Sequence, residues 1–370
     1  MNIFMITKPI SPFMDEGSKN LAFNLANQIK NYKFHLMTCK NSRLPKIENM
    51  TYHYFYPDDS LNTPKINFFH KIRLFYKIFN QKDIDVYHFI FTPRIVSSLV
   101  SKMFFKLSGK KSVQTISTPL TKSKLKMCLF ADKIVVLSEW TRRRVLDLEY
   151  KNVIKIGPGI DPEIFSKENI NTARKKLGVS EEDFVILFPG EYIFERGAKV
   201  ILNILKRLVE NFPHVKVIFA CRPQKGDTKE KKLVIDAVNS FGLSSNVIFL
   251  GRIDFMPELI NSSDIVVLPI ISQFFKMEIP MVLLEALALE KPVIISDIPP
   301  LNEMFSGNEA GIKIQPGNSE DLLKSITLLI KNKNLRNKMG KAGRALVEKE
   351  FNIKEIAKEY NKIYKELETE

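Results

Sequence analysis

A chain of 370 residues that is 45% hydrophobic and 26% charged has room for two domains with a core each, which excludes a disordered or fibrous chain. No apolar run approaches the roughly 18–20 residues of a membrane-spanning helix, and Cys39, Cys128 and Cys221 are too scattered for a disulfide frame or a zinc site. The net charge of +15 is carried by one half of the chain: residues 1–160 hold 26 Lys and Arg against 11 Asp and Glu, and the remainder holds 30 against 30.

That asymmetry points to an anionic partner met by the first half, with phospholipid, an anionic acceptor and nucleic acid as candidates. Nucleic acid ranks last, because no recognised DNA- or RNA-binding module is present. Five scattered His residues form no metal-spaced cluster, so no protein-held metal is expected. The opening MNIFMITKPI reads as a buried strand and lacks the parts of a signal peptide, so a cytoplasmic location is expected.

In chain order, NIFMITKP, FHLMTC, VYHFIF, SVQTIS and KIVVLS read as strands separated by helical stretches such as SKNLAFNLANQIKN. The segment IGPGIDPEIF, Ile156 to Phe165, has the Gly and Pro density of a linker and falls at the charge boundary. Beyond it DFVILFPG, VKVIFAC, NVIFLG, DIVVLPI and PVIISD repeat the alternation. The fold class is therefore α/β, two Rossmann-like doubly wound domains, with ligands expected at the carboxyl ends of the strands. The tail FNIKEIAKEYNKIYKEL carries an apolar stripe of Ile353, Ile356, Tyr360, Ile363 and Tyr364, and reads as a packed helix.

Candidate chemistry lies in loops between strands and helices. DEGSKN at 15–20, FPGEYIFERGAKV at 188–200 and GRIDFMPEL at 251–259 carry glycines that let backbone N–H groups approach a phosphate, and Arg196 could clamp a diphosphate. None is a Walker loop or a G-x-G-x-x-G fingerprint. In KMEIPMVLLE, Pro280 starts a helix, which leaves Glu278 in the entering loop and Glu285 in the second turn. The helix N-terminus then aims its free N–H groups at a ligand that the acids also touch.

From about residue 130 onward, DKIVVLSEWTRRRV, IGPGIDPEIF, ILFPGEYIFERGAKVIL, NVIFLGRIDFMPELINSSDIVVLPI, PMVLLEALALEKPVIISDIPPLNEMF and AGIKIQPGNSEDLLKSI together resemble the retaining glycosyltransferases of family 4. The first half resembles them more loosely, through PFMDEGSKN and DIDVYHFIF. The resemblance implies the GT-B fold, a nucleotide-diphosphate sugar as donor, no metal, and transfer with retention in which the leaving diphosphate accepts the acceptor's proton. It implies a basic acceptor-binding domain over residues 1–158, a nucleotide-sugar domain over 159–350, and a helix over 351–370 packing back towards the first domain.

Residue by residue, it implies that Glu285 holds the donor ribose and that Arg196 clamps the diphosphate. It places Gly17 near the donor phosphates, the N–H groups of Met281 and Val282 on the phosphate, and the backbone of Ile253 at the base. Gly190 and Glu191 stand in the second-half glycine loop of the donor site. Three positions depart from the family pattern: the first acid of the paired-glutamate motif falls on Met277 with Glu278 one place late, Glu191 replaces an arginine, and Ser117 replaces a histidine. Glu278 and Ser117 are thus the candidate catalytic positions, with Glu278 reaching a sugar hydroxyl if its loop shifts by one residue. Glu191 is expected to turn away, meet Arg196 or touch the sugar. The same departures favour a second reading, a catalytically silent scaffold or regulator of a glycan-assembly partner.

INFFHKIRLFYKIFN, Ile66 to Asn80, interleaves Phe68, Ile72, Phe75, Tyr76 and Phe79 with Lys71, Arg73 and Lys77, the make-up of an interfacial helix. KMFFKLSGKK at 102–111 and LTKSKLKMCLF at 120–130 extend the basic patch. The expected partners are therefore a nucleotide-sugar donor, a lipid-linked or glycan acceptor and an anionic membrane surface, with peripheral attachment at the inner face of the cell membrane.

Overall fold

The computed structural model describes residues 1–11, 16–40, 42–57, 68–81, 83–167, 171–221, 228–272, 276–305, 307 and 309–369. Pro12–Asp15 of the first loop, Ile66 and Asn67 of the basic stretch, and the side chains of Phe68 and Lys71 lie outside the described residues. Two compact units divide the chain: Met1–Gly159 with Phe274–Glu278 and Ile353–Glu370, and Ile160–Gln273 with Ile279–Asn352.

The first unit alternates β1 (Asn2–Ile10), α1 (Gly17–Gln28), β2 (Lys33–Cys39), β3 (Met50–Tyr56), α2 (Phe68–Phe79), β4 (Val86–Ile90), α3 (Ile95–Ser108), β5 (Lys111–Ile116), α4 (Lys122–Cys128), β6 (Lys133–Val136), α5 (Glu139–Leu146) and β7 (Val153–Lys155). The strands form one parallel sheet in the order β3-β2-β1-β4-β5-β6-β7. A parallel sheet is covered on both faces, which is why β4 and the ends of β5 and β6 read as unbroken buried runs.

One face is closed by α1 and by the C-terminal helix of the chain, Ile353–Thr369. Ile353, Ile356, Tyr360, Ile363 and Tyr364 join Leu21, Leu25, Ile3 and Phe34 in a single cluster. The stripe read from the sequence is thus the packed one. It is also pinned by polar groups: His88 Nδ1 lies 2.6 Å from the Tyr364 hydroxyl, His88 Nε2 lies 2.7 Å from Thr115 Oγ1, and that hydroxyl lies 3.2 Å from the Tyr360 hydroxyl. The opposite face holds α2 and α3 over an aromatic cluster that includes Tyr87, Phe89 and Phe105.

Complete burial pushes His88 down from 6.5 to about 3, so the folded chain holds this imidazole neutral. Between those values the unfolded chain binds the extra proton. Stability contributed by the neutral ring is therefore full above pH 6.5 and is lost as pH falls towards 3, by on the order of 3–5 kcal/mol in total. Urea midpoints measured from pH 7.5 downward should fall, and the slope should shrink by about one proton in His88→Gln. An unchanged slope would assign the acid lability elsewhere.

The second unit runs through α6 (Arg174–Leu177), β8 (Phe184–Phe188), α7 (Ala198–Asn211), β9 (Val215–Ala220), α8 (Thr228–Ser240), β10 (Val247–Leu250), α9 (Met256–Ser262), β11 (Ile265–Leu268), α10 (Met281–Ala288), β12 (Val293–Ser296), β13 (Gly311–Ile314), α11 (Ser319–Lys331) and α12 (Lys333–Glu350). Its parallel sheet has the order β10-β9-β8-β11-β12-β13. The order fixes where a ligand can sit. From β8 the chain steps outward to β9 and β10, then returns to lay β11 on the other side of β8, and this change of direction marks the carboxyl ends of β8 and β11 as the place where doubly wound sheets take ligands. In the first sheet the corresponding switch lies between β1 and β4.

Candidate functional site

The loop leaving β8 carries three of the sequence-derived donor positions. Gly190 follows Phe188 so closely that a Cβ there would lie 2.1 Å from the Phe188 ring. Glu191 and Tyr192 fold inward, 7% and 1% exposed. A short 3-10 turn, Phe194–Arg196, then ends on Gly197 at φ +104°, a conformation costly for any other residue, and Gly197 opens α7.

Arg196 is held from two directions. Its Nη1 donates to the Ser272 carbonyl, and its Nε stands 3.8 Å from Glu191 Oε2. The Ile271 N–H donates to the Glu195 carbonyl at 2.8 Å, which ties the loop leaving β11 to the loop leaving β8. Burial lowers the guanidinium from its ordinary value, and the carboxylates of Glu191 and Glu195 offset only part of that. Of the three fates expected for Glu191, the structure displays the contact with Arg196. The guanidinium is thereby held at the switch point.

After β11 the chain enters α10, whose N-cap is Pro280 in extended conformation with no side-chain cap. Proline presets the turn, and the first N–H groups, those of Met281 and Val282, have no partner within the helix. Glu285 lies one turn further on, as expected from the sequence. Its side chain is partly accessible but deeply set, and desolvation raises its carboxyl from 4.5 to about 7. A helix N-terminus beside a carboxylate that gives up its charge easily offers donors to phosphate and an acceptor to hydroxyls. Ile253 lies in the loop leaving β10 and is partly accessible.

In the first unit, Gly17 is the first residue of α1 after β1. Two residues on, Lys19 is 1% exposed, with its ammonium 3.1 Å from Ser11 Oγ. Ser117 follows β5 and is buried, and its carbonyl accepts the Glu278 N–H at 2.9 Å. The Glu278 carboxylate accepts the Thr141 hydroxyl and is 0% exposed. Met277 packs against the core of the same unit. The two acids of KMEIPMVLLE therefore fall in different units, Glu278 in the first and Glu285 in the second, with the division at Ile279.

The structure thus gathers Gly190, Glu191 and Arg196 in one loop of the second unit, and Glu278 with Ser117 within the first. Sequence reasoning missed Thr141, Ser272 and Lys19. Thr141 and Ser272 act through contacts 137 and 76 residues away in the chain, for which no local pattern exists. Lys19 had a signal, a cation next to the loop glycine in GSKN. Among the described residues no group of three or more His, Cys, Asp or Glu is arranged to hold a metal ion, and no helix is long and apolar enough to cross a membrane.

Residues 169–346 match the family model described as Glycosyl transferases group 1. An uncharacterised glycosyltransferase of Methanocaldococcus jannaschii is 26% identical over 369 residues, 93% of each chain. The phosphatidyl-myo-inositol mannosyltransferase of Mycobacterium leprae is 24% identical over 300 residues, 78% of this chain and 75% of that one. Other curated relatives, at 23–27% identity, are matched over about half of their own length. Among solved structures, Anabaena HepE in complex with UDP-glucose superposes with a TM-score of 0.77 at 15% identity, covering 99% of this chain and 100% of that one. The fold is accordingly GT-B, with two Rossmann-like α/β domains.

Proposed function

We propose that the protein transfers a sugar from a nucleotide-diphosphate sugar to a lipid-linked or glycan acceptor, with retention at the anomeric carbon and without a bound metal. The observation that carries this reading is the switch point of the second sheet, where a prearranged guanidinium leaves β8 and a helix N-terminus followed by a carboxylate leaves β11. Arg196 and the N–H groups of Met281 and Val282 would stabilise the departing diphosphate, and Glu285 would accept hydrogen bonds from the ribose hydroxyls. The loop of Gly190 and Glu191, the loop of Gly17 and the backbone of Ile253 complete the donor contacts. The matched group 1 region and the UDP-glucose bound by HepE support a nucleotide-sugar donor. The phosphatidyl-myo-inositol mannosyltransferase supports a lipid acceptor, and with it a working place at an anionic membrane face.

Chemically, the bond from the anomeric carbon to the β-phosphate oxygen breaks as the acceptor oxygen attacks on the same face. The acceptor's proton passes to the leaving diphosphate oxygen, so no protein nucleophile is required. The chain's share is positioning and charge stabilisation. Within the first unit Glu278 and Ser117 brace one another, the Ser117 carbonyl accepting the Glu278 N–H and the Glu278 carboxylate accepting the Thr141 hydroxyl, and contact of Glu278 with a sugar hydroxyl requires a one-residue shift of its loop. A thermal-shift screen against UDP-, GDP- and ADP-sugars tests the proposal: one donor class should raise the melting temperature by mass action. No shift with any of them would sink it and favour the silent-scaffold reading.

A further inference from the structure

The outer side of α2 and α3 has no part in the site described above, yet it exposes a row of large apolar side chains. On α3, Val96, Leu99, Met103 and Leu107 are 75%, 56%, 62% and 80% exposed. Their spacing of three, four and four residues puts them on one face of the helix. On α2, Phe69, Ile72 and Tyr76 are likewise exposed and spaced by three and four. The inner sides of the two helices meet over one aromatic cluster, with the rings of Phe79 and Phe104 4.2 Å apart. Both stripes therefore look outward from the same side of the sheet.

Charge decides what such a face fits. The sequences of α2, α3 and the neighbouring α4 contain eight Lys and Arg and no Asp or Glu. Lys102, Lys106, Arg73 and Lys126 are exposed beside the stripes, and Met127 of α4 adds a further exposed apolar side chain. An apolar stripe flanked by exposed cations suits neither water nor an ordinary protein interface rim, but suits the boundary between anionic headgroups and acyl chains.

We infer that α2 and α3 form a two-helix insertion face that seats the first unit in an anionic phospholipid surface, with Val96, Leu99, Met103 and Leu107 entering the acyl boundary and the lysines meeting phosphate. This rests on the lipid-acceptor reading for its purpose but not for its physics. Insertion differs from purely electrostatic docking in its salt dependence: at about 1 M NaCl charge attraction is screened within a few ångströms, and the apolar part of the binding persists.

Flotation with phosphatidylcholine vesicles, alone and mixed with phosphatidylglycerol, tests it. The wild-type protein should float far more strongly with the mixed vesicles than with phosphatidylcholine alone, and at high salt should keep the smaller part of its binding that phosphatidylcholine alone supports. The variant L99S/M103S/L107S should partition at least about 100-fold less, and K102E/K106E should lose the preference for phosphatidylglycerol. L107S alone, at the most exposed position, serves should the triple variant fold poorly. All variants should keep the nucleotide-sugar thermal shift, so failure of the face is distinguished from failure of the donor reading. Equal flotation of the triple variant and wild type, no preference of wild type for the anionic vesicles, or a wild-type dimer in light scattering that the triple variant dissolves would each overturn the inference.

Discussion

Arg196→Ala should lower kcat/KM for sugar transfer by roughly 10- to 150-fold, the equivalent of one charge-assisted hydrogen bond worth about 1.5–3 kcal/mol. The loss should fall more on kcat than on KM, because negative charge on the diphosphate grows as the glycosidic bond breaks and the guanidinium meets that growth. The alanine variant also leaves Glu191 in the donor loop without the guanidinium 3.8 Å away, so a second carboxylate charge faces an anionic ligand. Arg196→Lys should recover part of the rate, since charge returns without the forked geometry that reaches the Ser272 carbonyl. Steady-state kinetics of the two variants against wild type decide it. Unchanged kcat/KM in Arg196→Ala would remove the clamp from the mechanism.

Glu285→Gln should separate binding from stability in opposite directions. The folded carboxyl titrates near 7 against 4.5 as a free side chain, so the folded state holds a proton that the unfolded state has lost between those values. Its favourable contribution is present below pH 4.5 and disappears as pH rises through 7. At pH 8 the charged side chain is a burden, and Gln should stabilise the ligand-free protein by roughly 1–3 kcal/mol. Donor affinity should move the other way. A carboxylate accepts two ribose hydroxyls where an amide offers one acceptor, so calorimetric affinity should fall about 10-fold or more at pH 8. Wild-type affinity should rise with pH through 7 as the carboxyl ionises, and Glu285→Gln should abolish that dependence. This trade of stability for binding is what a functional carboxylate in a desolvated setting costs the fold.

The fold was legible wherever the strand was central. β1, β4, β5, β8, β9, β11 and β12 are buried on both faces, and their apolar runs mark them without ambiguity. The strands not read from the sequence, β3, β7 and β13, are all edge strands. β3 is only partly buried, and MTYHYFY lacks an aliphatic run; β7 has three residues, and GIKI of β13 alternates. An edge strand needs no continuous apolar stretch, so the pattern that finds its neighbours passes over it.

The site shows the same division. Pro280 and the glycines after β8 announced a helix start and a tight loop, and Met281–Ala288 and Gly190–Gly197 have those forms. The environment of Glu278 was not legible. Its short sequence distance from Glu285 suggested a shared ligand, whereas Met277 packs into the first unit and Glu278 meets Thr141 there. Which core a strap joins depends on contacts far away in sequence, and those leave no period to read. The exposed stripe of α3 was hidden for a related reason: Phe104 and Phe105 face inward, Met103 and Leu107 outward, and four apolar residues so close together do not say which side meets the sheet.

Transfer from a nucleotide-diphosphate sugar is tested by release of free nucleoside diphosphate when an acceptor is added to the protein and the donor that stabilises it. One diphosphate should be released per sugar transferred, with the anomeric configuration kept in the product and the rate reduced at least about 10-fold in Arg196→Ala. Tight donor binding with no release above the acceptor-free background, across lipid-linked and glycan acceptors alike, would contradict it and leave a nucleotide-sugar-binding scaffold in its place.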